Sequence, residues 1–390
     1  MSVFTLKWGI LATGGIAETF AKDILTNPKL RGENNVAHEI VAVASSSKKQ
    51  RAEDFITKTR IPGSVAAYGS YAELVLDSSV QIVYVATPHS HHFQNAMLAL
   101  EAGKHVLCEK ALTVTASQAR KLVDTANEKG VFFMEAVWTR FFPASVKIRE
   151  LCTRGAIGSI HRVIADISFA SGKDDGDDRL QFPDTNRMVN LDLAGGALLD
   201  LGVYSLTWVF QILYHLQPED AKENPVITSS IDKYSYTGSD ESTSILLHFP
   251  KHRTTGIATT GLRTLTGANE RNEGSPAVVI QGSKGEICVY GPCFKPKQYK
   301  VITKDGPETV DIEYPTDPDR NNDGHGMYWE ADECARCIRD GKVESSTMPW
   351  GESLAIMETM DKVLKDGGIV YPEIITSDVF DPQSNLNTGK

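Results

Sequence analysis

The chain has 390 residues, of which 41% are hydrophobic and 23% charged, and a formal net charge of −10. At roughly 100–200 residues per domain this length predicts two domains, with enough apolar residue to build buried cores. No Lys/Arg block marks a nucleic-acid surface, and six cysteines are too sparse for a disulfide scaffold, which points to a reducing, cytoplasmic setting.

The chain opens on a short apolar run, Leu6–Leu11, that stops at Thr13-Gly14-Gly15. That is a strand entering a tight turn, too short for a signal or spanning helix, and no later apolar run is expected to reach the ~18 residues a bilayer requires. Apolar residues at Ile16, Phe20, Ile24 and Leu25 have helical spacing. A polar insert, Asn27–Glu39, precedes a second strand at Ile40–Ala44 and a helix at Lys48–Thr57. A strand at Ile82–Ala86, a helix at Phe93–Ala102, a strand at His105–Leu107, a helix at Thr115–Lys129 and a strand at Val131–Met134 complete the alternation. Such alternation predicts an α/β Rossmann domain, a doubly wound parallel sheet, over residues 1–140.

After Arg140 the pattern changes. Phe141–Arg154 is amphipathic, Ile160–Phe169 alternates like a strand, and Ser171–Arg187, with Asp174, Asp175, Asp177 and Asp178, reads as a polar loop. Leu198–Leu216 is a long helix with an apolar face. Six strand-like runs between Thr228 and Thr303 have short polar connections, which predicts a large, mainly antiparallel sheet. Helices at Met327–Asp340 and Glu352–Asp366 follow. The reading is an α+β domain over residues 141–375 and a polar tail over 376–390.

The first turn, Ala12-Thr13-Gly14-Gly15-Ile16-Ala17, approximates G-x-G-x-x-[GA] with alanine at the first glycine. Between a strand and a helix, such a turn lets the backbone approach a pyrophosphate at the helix N-terminus. The alternative is an ordinary glycine-rich turn. The second strand ends at Ser45-Ser46-Ser47-Lys48-Lys49-Gln50-Arg51, without the acid that grips a ribose 2′-hydroxyl. Hydroxyls and cations suit a 2′-phosphate, so Ser45, Ser46, Ser47 and Arg51 predict NADP over NAD. Otherwise the serines cap a helix and the cations form a solvated face.

Three further segments stand out: Thr87-Pro88-His89-Ser90-His91-His92, Ala102–Lys110 (A-G-K-H-V-L-C-E-K), and Gly195–Tyr204 (G-G-A-L-L-D-L-G-V-Y). With the glycine turn they resemble the glucose-fructose oxidoreductase, inositol dehydrogenase and MocA family, from Trp8 to about Tyr371. Within it, Glu135–Pro143 is similar to the branch of dihydrodiol dehydrogenases and fungal NADP-dependent D-xylose dehydrogenases, with the stronger likeness to the xylose-oxidising members. The resemblance implies NADP as cofactor and Lys110, after Glu109, at the nicotinamide ribose and the reacting group; Ala111 stands where the family has proline. It also implies Tyr204 as catalytic base and Asp200 as its orienting neighbour. Oxidising an alcohol requires removing its proton as hydride leaves, and a nearby ammonium makes a phenol, ordinarily near ~10, a usable base. Asp200 and Tyr204 lie four apart on a predicted helix and so share a face. Thr87, His89, His92, Trp138 and Arg140 are expected around the cofactor, and His89, Trp138, Phe169 and Arg187 on the substrate side.

The implied reaction is oxidation of D-xylose at C1 to the lactone, with a dihydrodiol or a broader range of sugars and carbonyls as the alternative substrate. The implied assembly is a homodimer through the second sheet, with no nucleic-acid or membrane partner. The rival class is an NADP sensor without turnover, against which Lys110, Asp200 and Tyr204 all argue. Three histidines near His89 lack a companion carboxylate or cysteine cluster, so no metal is expected. Cys334-Ala335-Arg336-Cys337 lies within a helix without a second pair and reads as structural. Asp319–Gly324 with Glu330 matches an EF-hand expression, but Pro315 and Pro318 forbid the helix such a loop needs.

Overall fold

The computed structural model describes residues 3–173, 178–267, 274–320 and 324–388. Asp174, Asp175 and Asp177 of the acidic loop, and Asn321–Asp323 of the EF-hand-like stretch, lie outside them. The chain forms two compact units: residues 1–138, 314–353 and 373–390 make the first, and residues 139–313 and 354–372 the second.

The first unit is built on a six-stranded parallel sheet in the order β3-β2-β1-β4-β5-β6. Its strands are β1 (Phe4–Leu11), β2 (Val36–Ala44), β3 (Ala66–Tyr68), β4 (Ile82–Val85), β5 (His105–Glu109) and β6 (Phe133–Ala136). Between them run α1 (Gly15–Ile24), α2 (Lys49–Thr59), α3 (Tyr71–Leu76), α4 (His89–Glu101) and α5 (Ala116–Lys129). The strands are apolar runs because helices cover a parallel sheet on both faces: every residue of β4 and β6 is buried. The sequence missed β3 and α3, three and six residues long, which are too short to carry a period. It also started β2 four residues late, since Val36–Glu39 mixes polar with apolar residues. Thr115 caps α5 and Gln118 returns the bond, a capping box that fixes this helix start.

The second unit starts with α6 (Pro143–Thr153) and β7 (Ile160–Ser168). A π-helical turn, Leu198–Gly202, leads into α7 (Val203–Leu213). Strands β8 (Val226–Lys233), β9 (Asp240–Phe249), β10 (Thr254–Gly261), β11 (Val278–Gly282), β12 (Gly285–Tyr290), β13 (Gln298–Thr303) and β14 (Gly306–Asp311) follow. They form an eight-stranded sheet in the order β14-β13-β12-β11-β7-β10-β9-β8. Only the β7–β10 pair is parallel, so the sheet is mainly antiparallel as expected. β14, with Pro307 and mostly exposed residues, is an edge strand without apolar alternation, which hid it from the sequence reading. Every residue of α7 is buried. Against the expectation that nothing nears spanning length, an 18-residue stretch within Leu191–Leu213 is apolar enough, at mean hydropathy 1.4, but 94% of that stretch is buried inside the protein, as a core helix is.

The last quarter of the chain departs from the expected division at residues 140 and 375. α8 (Tyr328–Arg339) packs in the first unit, and α9 (Trp350–Asp366) passes from the first unit to the second after Ser353. Buried charge anchors α8: Arg31 reaches both oxygens of Asp332 at 2.8 Å, and His38 Nε2 lies 2.9 Å from Oδ1. Trp8 Nε1 donates to His38 Nδ1 at 3.1 Å, which leaves Nε2 as the donor to Asp332. The expected polar tail is docked. α10 (Glu373–Thr376) and α11 (Asn385–Thr388) belong to the first unit, held by amides on α4 and α5. Gln94 bonds Val379 and Asp381, Asn95 bonds Leu386 and Asn387, and Gln118 bonds Ile375 and Ser377. A polar composition concealed this docking because its partners are backbone carbonyls rather than an apolar core.

Candidate active site

The predicted nucleotide residues of the first unit cluster at the carboxyl ends of its strands, where open α/β sheets bind ligands. β1 ends at Leu11, and the next residue, Ala12, donates its N–H to the Ala44 carbonyl at 3.1 Å and has a φ of +99°. That backbone favours glycine, the physical reason for the glycine usual at this position. Thr13 and Gly14 follow, and α1 starts at Gly15 with no side chain capping it. A Cβ on Gly14 or Gly15 would meet nothing within 4 Å, so the helix start is open to a ligand, and Ile16 is exposed beside it. At the end of β2, Ser45 is buried and donates its N–H to Tyr68. Ser46 bonds Tyr71, whose hydroxyl burial pushes up to about 12 against that bond. Ser47 and Arg51 are exposed. Thr13 and Arg51 line a cleft of about 380 Å³ with Glu18, Asp54, Phe55 and Lys58. Glu18 does not oppose an anion there with a free charge, because Lys22 at 2.8 Å and Lys58 at 2.5 Å both hold it and depress its pKa.

β4 delivers Thr87, whose buried hydroxyl has no hydrogen-bond partner among the described residues. α4 begins at His89, two residues later. His92 is fully buried, with Nδ1 2.9 Å from the Ala111 carbonyl and Nε2 2.8 Å from that of Thr87. Burial drives its pKa down to about 4 despite both carbonyls, so the ring is neutral and only one contact is a true hydrogen bond. His92 thus ties two loops together and is a poor base; His89 meets it edge-on at 5.6 Å. β5 ends in Glu109, which accepts from the Tyr84 hydroxyl, and Tyr84 stacks on Phe20 at 3.7 Å. Lys110 is half-buried, and its peptide bond to Ala111 is cis. Trp138 is buried 6.0 Å from the His325 ring. Tyr84 escaped the sequence reading because it looks like any strand residue. Among the described residues no three His, Cys, Asp or Glu side chains are placed to hold a metal. Cys334 and Cys337 are buried thiols, the latter pushed up to about 12 by burial.

The second unit gathers a different set. Asp200 lies in the π turn, nearly buried, and Arg187 grips it at 2.7 Å and 3.4 Å. Tyr204 stands in the first turn of α7, its ring 5.6 Å from Phe294. Phe294 lies 6.4 Å from Phe169, so three aromatic rings adjoin. The Thr139 hydroxyl bonds the Phe294 carbonyl at 2.6 Å and Trp208 Nε1 bonds the Cys293 carbonyl at 2.8 Å, which pins this loop. Phe294 lies between strands in a stretch with no period, and the sequence reading passed it over. Arg140 is fully buried, with Nη2 3.2 Å from His215 Nδ1 and its carbonyl held by Arg149. The sequence reading set it on the pocket wall; the structure shows it buried, with Nε lacking a hydrogen-bond partner among the described residues.

The first unit suits a dinucleotide on its own observations. An uncapped helix start with no obstruction above Gly14 and Gly15 can take a pyrophosphate. Serines and Arg51 stand where the adenosine ribose would end, and a partnerless hydroxyl sits at the end of β4.

Residues 6–137 match the glucose-fructose oxidoreductase, inositol dehydrogenase and MocA oxidoreductase family with its NAD-binding Rossmann fold, and residues 145–288 match a C-terminal domain of the same family. A D-xylose 1-dehydrogenase (NADP(+)) of Hypocrea jecorina is 62% identical over 389 residues, 99% of this chain and 98% of that protein. A human trans-1,2-dihydrobenzene-1,2-diol dehydrogenase is 33% identical over 368 residues, 94% and 98% of the two chains. KijD10, a 3-ketoreductase from Actinomadura kijaniata solved with NADP and TDP-benzene, shares the fold at TM-score 0.69 and 23% identity, over 93% of this chain and 97% of its own.

Proposed function

Since the chain belongs to the glucose-fructose oxidoreductase, inositol dehydrogenase and MocA family of oxidoreductases, we propose that it oxidises D-xylose at C1 to the lactone with NADP. The observation that carries this reading is the 62% identity with the Hypocrea D-xylose 1-dehydrogenase over nearly the full length of both chains. The cluster of Ser45, Ser46, Ser47 and Arg51, with no acid after β2, supports the choice of NADP.

Bound NADP supplies the hydride acceptor. The remaining work falls to side chains. The Tyr204 hydroxyl, as phenolate, takes the proton of the C1 hydroxyl as the hydride departs. The Lys110 ammonium favours that phenolate by charge, and Asp200, gripped by Arg187, orients the sugar and the tyrosine. Phe169 and Phe294 offer apolar surface to the ring, with Arg187 beside Asp200 for the hydroxyls. A homodimer through the eight-stranded sheet and a cytoplasmic location complete the reading.

Steady-state assays of D-xylose, other aldoses and trans-dihydrodiols with NADP and NAD test it. The expected outcome is the highest kcat/KM with D-xylose and NADP, and a lactone product by NMR. The 33% identity to the dihydrodiol enzyme supports a second reading, which a higher kcat/KM for a dihydrodiol would favour. No turnover with any of them overturns both.

A further inference from the structure

The helix that carries Asp200 and Tyr204 starts deep in the second unit, where its first N–H groups cannot reach water. Ala197 provides no side-chain cap. The need is met from β9, 42 residues beyond Leu198 in the chain: Asp240, fully buried, accepts from Leu198 N–H at 2.6 Å, and Ala197 N–H is a second backbone donor to it. Thr243 steadies the same oxygen through its hydroxyl at 3.4 Å.

The first two glycines of G-G-A-L-L-D-L-G-V-Y make this reach possible. Gly196 has φ +148°, and a Cβ there would collide with Asp240 Oδ1. A Cβ on Gly195 would lie 2.6 Å from Asn190 N and 2.8 Å from the Arg187 carbonyl oxygen. The Gly195 carbonyl accepts from the Tyr371 hydroxyl at 3.1 Å. The helix start is thus held at its donors by a carboxylate and at the carbonyl before them by a phenol.

We propose that Asp240 is a positioning residue for the reaction, fixing the first turn of this helix and through it the side chains of Asp200 and Tyr204. The proposal rests on the assignment of Tyr204 as base. The geometry explains why the grip matters. The turn after the cap is π-helical, a local departure from the regular α-helical ladder, and such turns are frequent at functional sites. Freed donors would draw the turn toward other acceptors, and a shift of about 1 Å at reacting atoms can cost about 10²-fold in rate. No cation pairs with Asp240 among the described residues; Oδ2 takes the Leu198 N–H and the Thr243 hydroxyl, while Oδ1, facing Gly196, is buried without a partner and burial pushes the group's pKa up to about 7.

Asp240→Asn keeps an acceptor oxygen of the same reach, whereas Asp240→Ala leaves the buried donors bare. Both are assayed with D-xylose and NADP well below their melting temperatures. Asp240→Ala is expected to lower kcat about 10- to 100-fold, with NADP affinity within about 2-fold of the parent, while Asp240→Asn stays within about 3-fold in kcat. In a Tyr204→Phe background Asp240→Ala should cost less than about 3-fold, because the group it positions is gone. An equal loss in both backgrounds, or no loss in the parent, overturns the proposal. If Asp240→Ala does not fold, Asp240→Ser, a shorter acceptor, replaces it with an intermediate kcat loss expected and the same comparison of backgrounds. Normal turnover in Tyr204→Phe alone defeats the base assignment instead, and is read separately from the Asp240 variants.

Discussion

The first unit places its functional residues at the ends of parallel strands, each a short step from its own sequence motif. The second places Asp200 and Tyr204 on one helix whose position depends on Asp240, Arg187 and Tyr371, forty or more residues away in two of three cases. A strand-end site is local: turn residues, helix start and ligand-facing backbone come from one contiguous stretch, as in Ala12–Ile16. A helix-borne site is not, because a helix presents side chains in the right order but says nothing about what holds it. Substitutions in the second unit should therefore strike turnover, and those in the first, Lys110 apart, should strike cofactor binding or folding.

Tyr204→Phe gives the largest expected effect and the cleanest break. It keeps the ring against Phe294 and removes the hydroxyl. Turnover with D-xylose should fall ~10²–10⁴-fold while NADP binding, measured by fluorescence titration, is unchanged. Lys110→Met should also cut turnover and shift the rate profile to higher pH, because it removes the charge proposed to favour the phenolate. Lost NADP binding in Tyr204→Phe would instead mean that the residue shapes the cofactor site, and near-normal turnover would end its role as base.

Asp332→Ala probes the first unit's dependence on its returning helix. Removing one partner of a buried pair leaves Arg31 uncompensated and should cost about 3–5 kcal/mol of stability by chemical denaturation. The pH dependence has a defined sign. Burial would raise Asp332, but Arg31 and His38 outweigh it and hold its folded pKa below 3.8, so its contribution is present above that value and lost as pH falls through the folded pKa. Burial lowers His38 below 6.5, so only the unfolded chain gains a proton just below that pH, which also destabilises the fold in acid. The parent should lose stability from about pH 6 downward through His38 and again below about pH 4 through Asp332, and Asp332→Ala should flatten only the second of these falls. Equal slopes would remove Asp332 as the source.

Arg51→Ala sharpens the contrast on the cofactor side. It stands exposed on the cleft with Thr13 and Lys58. A charge-assisted bond is worth about 1.5–3 kcal/mol, so KM for NADP should rise roughly tenfold or more while KM for NAD barely moves. A parallel rise for both would show that Arg51 does not read the 2′-phosphate.

The strand–helix alternation, the glycine turn and the antiparallel character of the second sheet were legible because period and turn chemistry are local signals. Less legible were the returns of the chain. α8 enters the first unit through Asp332, held by Arg31, and through Asp23 of α1, which accepts from the Met327 N–H at 2.9 Å, and the tail docks through Gln94, Asn95 and Gln118. These are polar contacts made over hundreds of residues, and polarity in a sequence looks the same whether it faces water or a buried carbonyl. Asp240 was hidden for the same reason: Thr237-Gly238-Ser239-Asp240 reads as a turn, and nothing local says that its last residue caps another helix. Arg140 shows the opposite case: a charge beside a motif suggests a ligand, while the structure buries it fully, with Nη2 against His215 and Nε without a hydrogen-bond partner among the described residues.

The smallest expected effect lies at Ala12, where motif and backbone disagree. Its φ of +99° is a conformation that L side chains rarely adopt, and its N–H is held by Ala44, so the turn cannot relax without losing that bond. Glycine removes the strain but adds freedom to the unfolded chain, an opposing cost of about 0.4–1 kcal/mol. Strain at such a residue is of order 1–3 kcal/mol, so the balance favours glycine by about 1 kcal/mol. Ala12→Gly should therefore raise the melting temperature by about 1 °C if the two units unfold together. NADP binding should be unchanged or slightly tighter, because the backbone path past Gly14 stays as it is. A lower melting temperature would mean that the neighbouring Ala44 strand end already accommodates the methyl, and that the glycine usual at this position answers to the closeness of the pyrophosphate rather than to the turn.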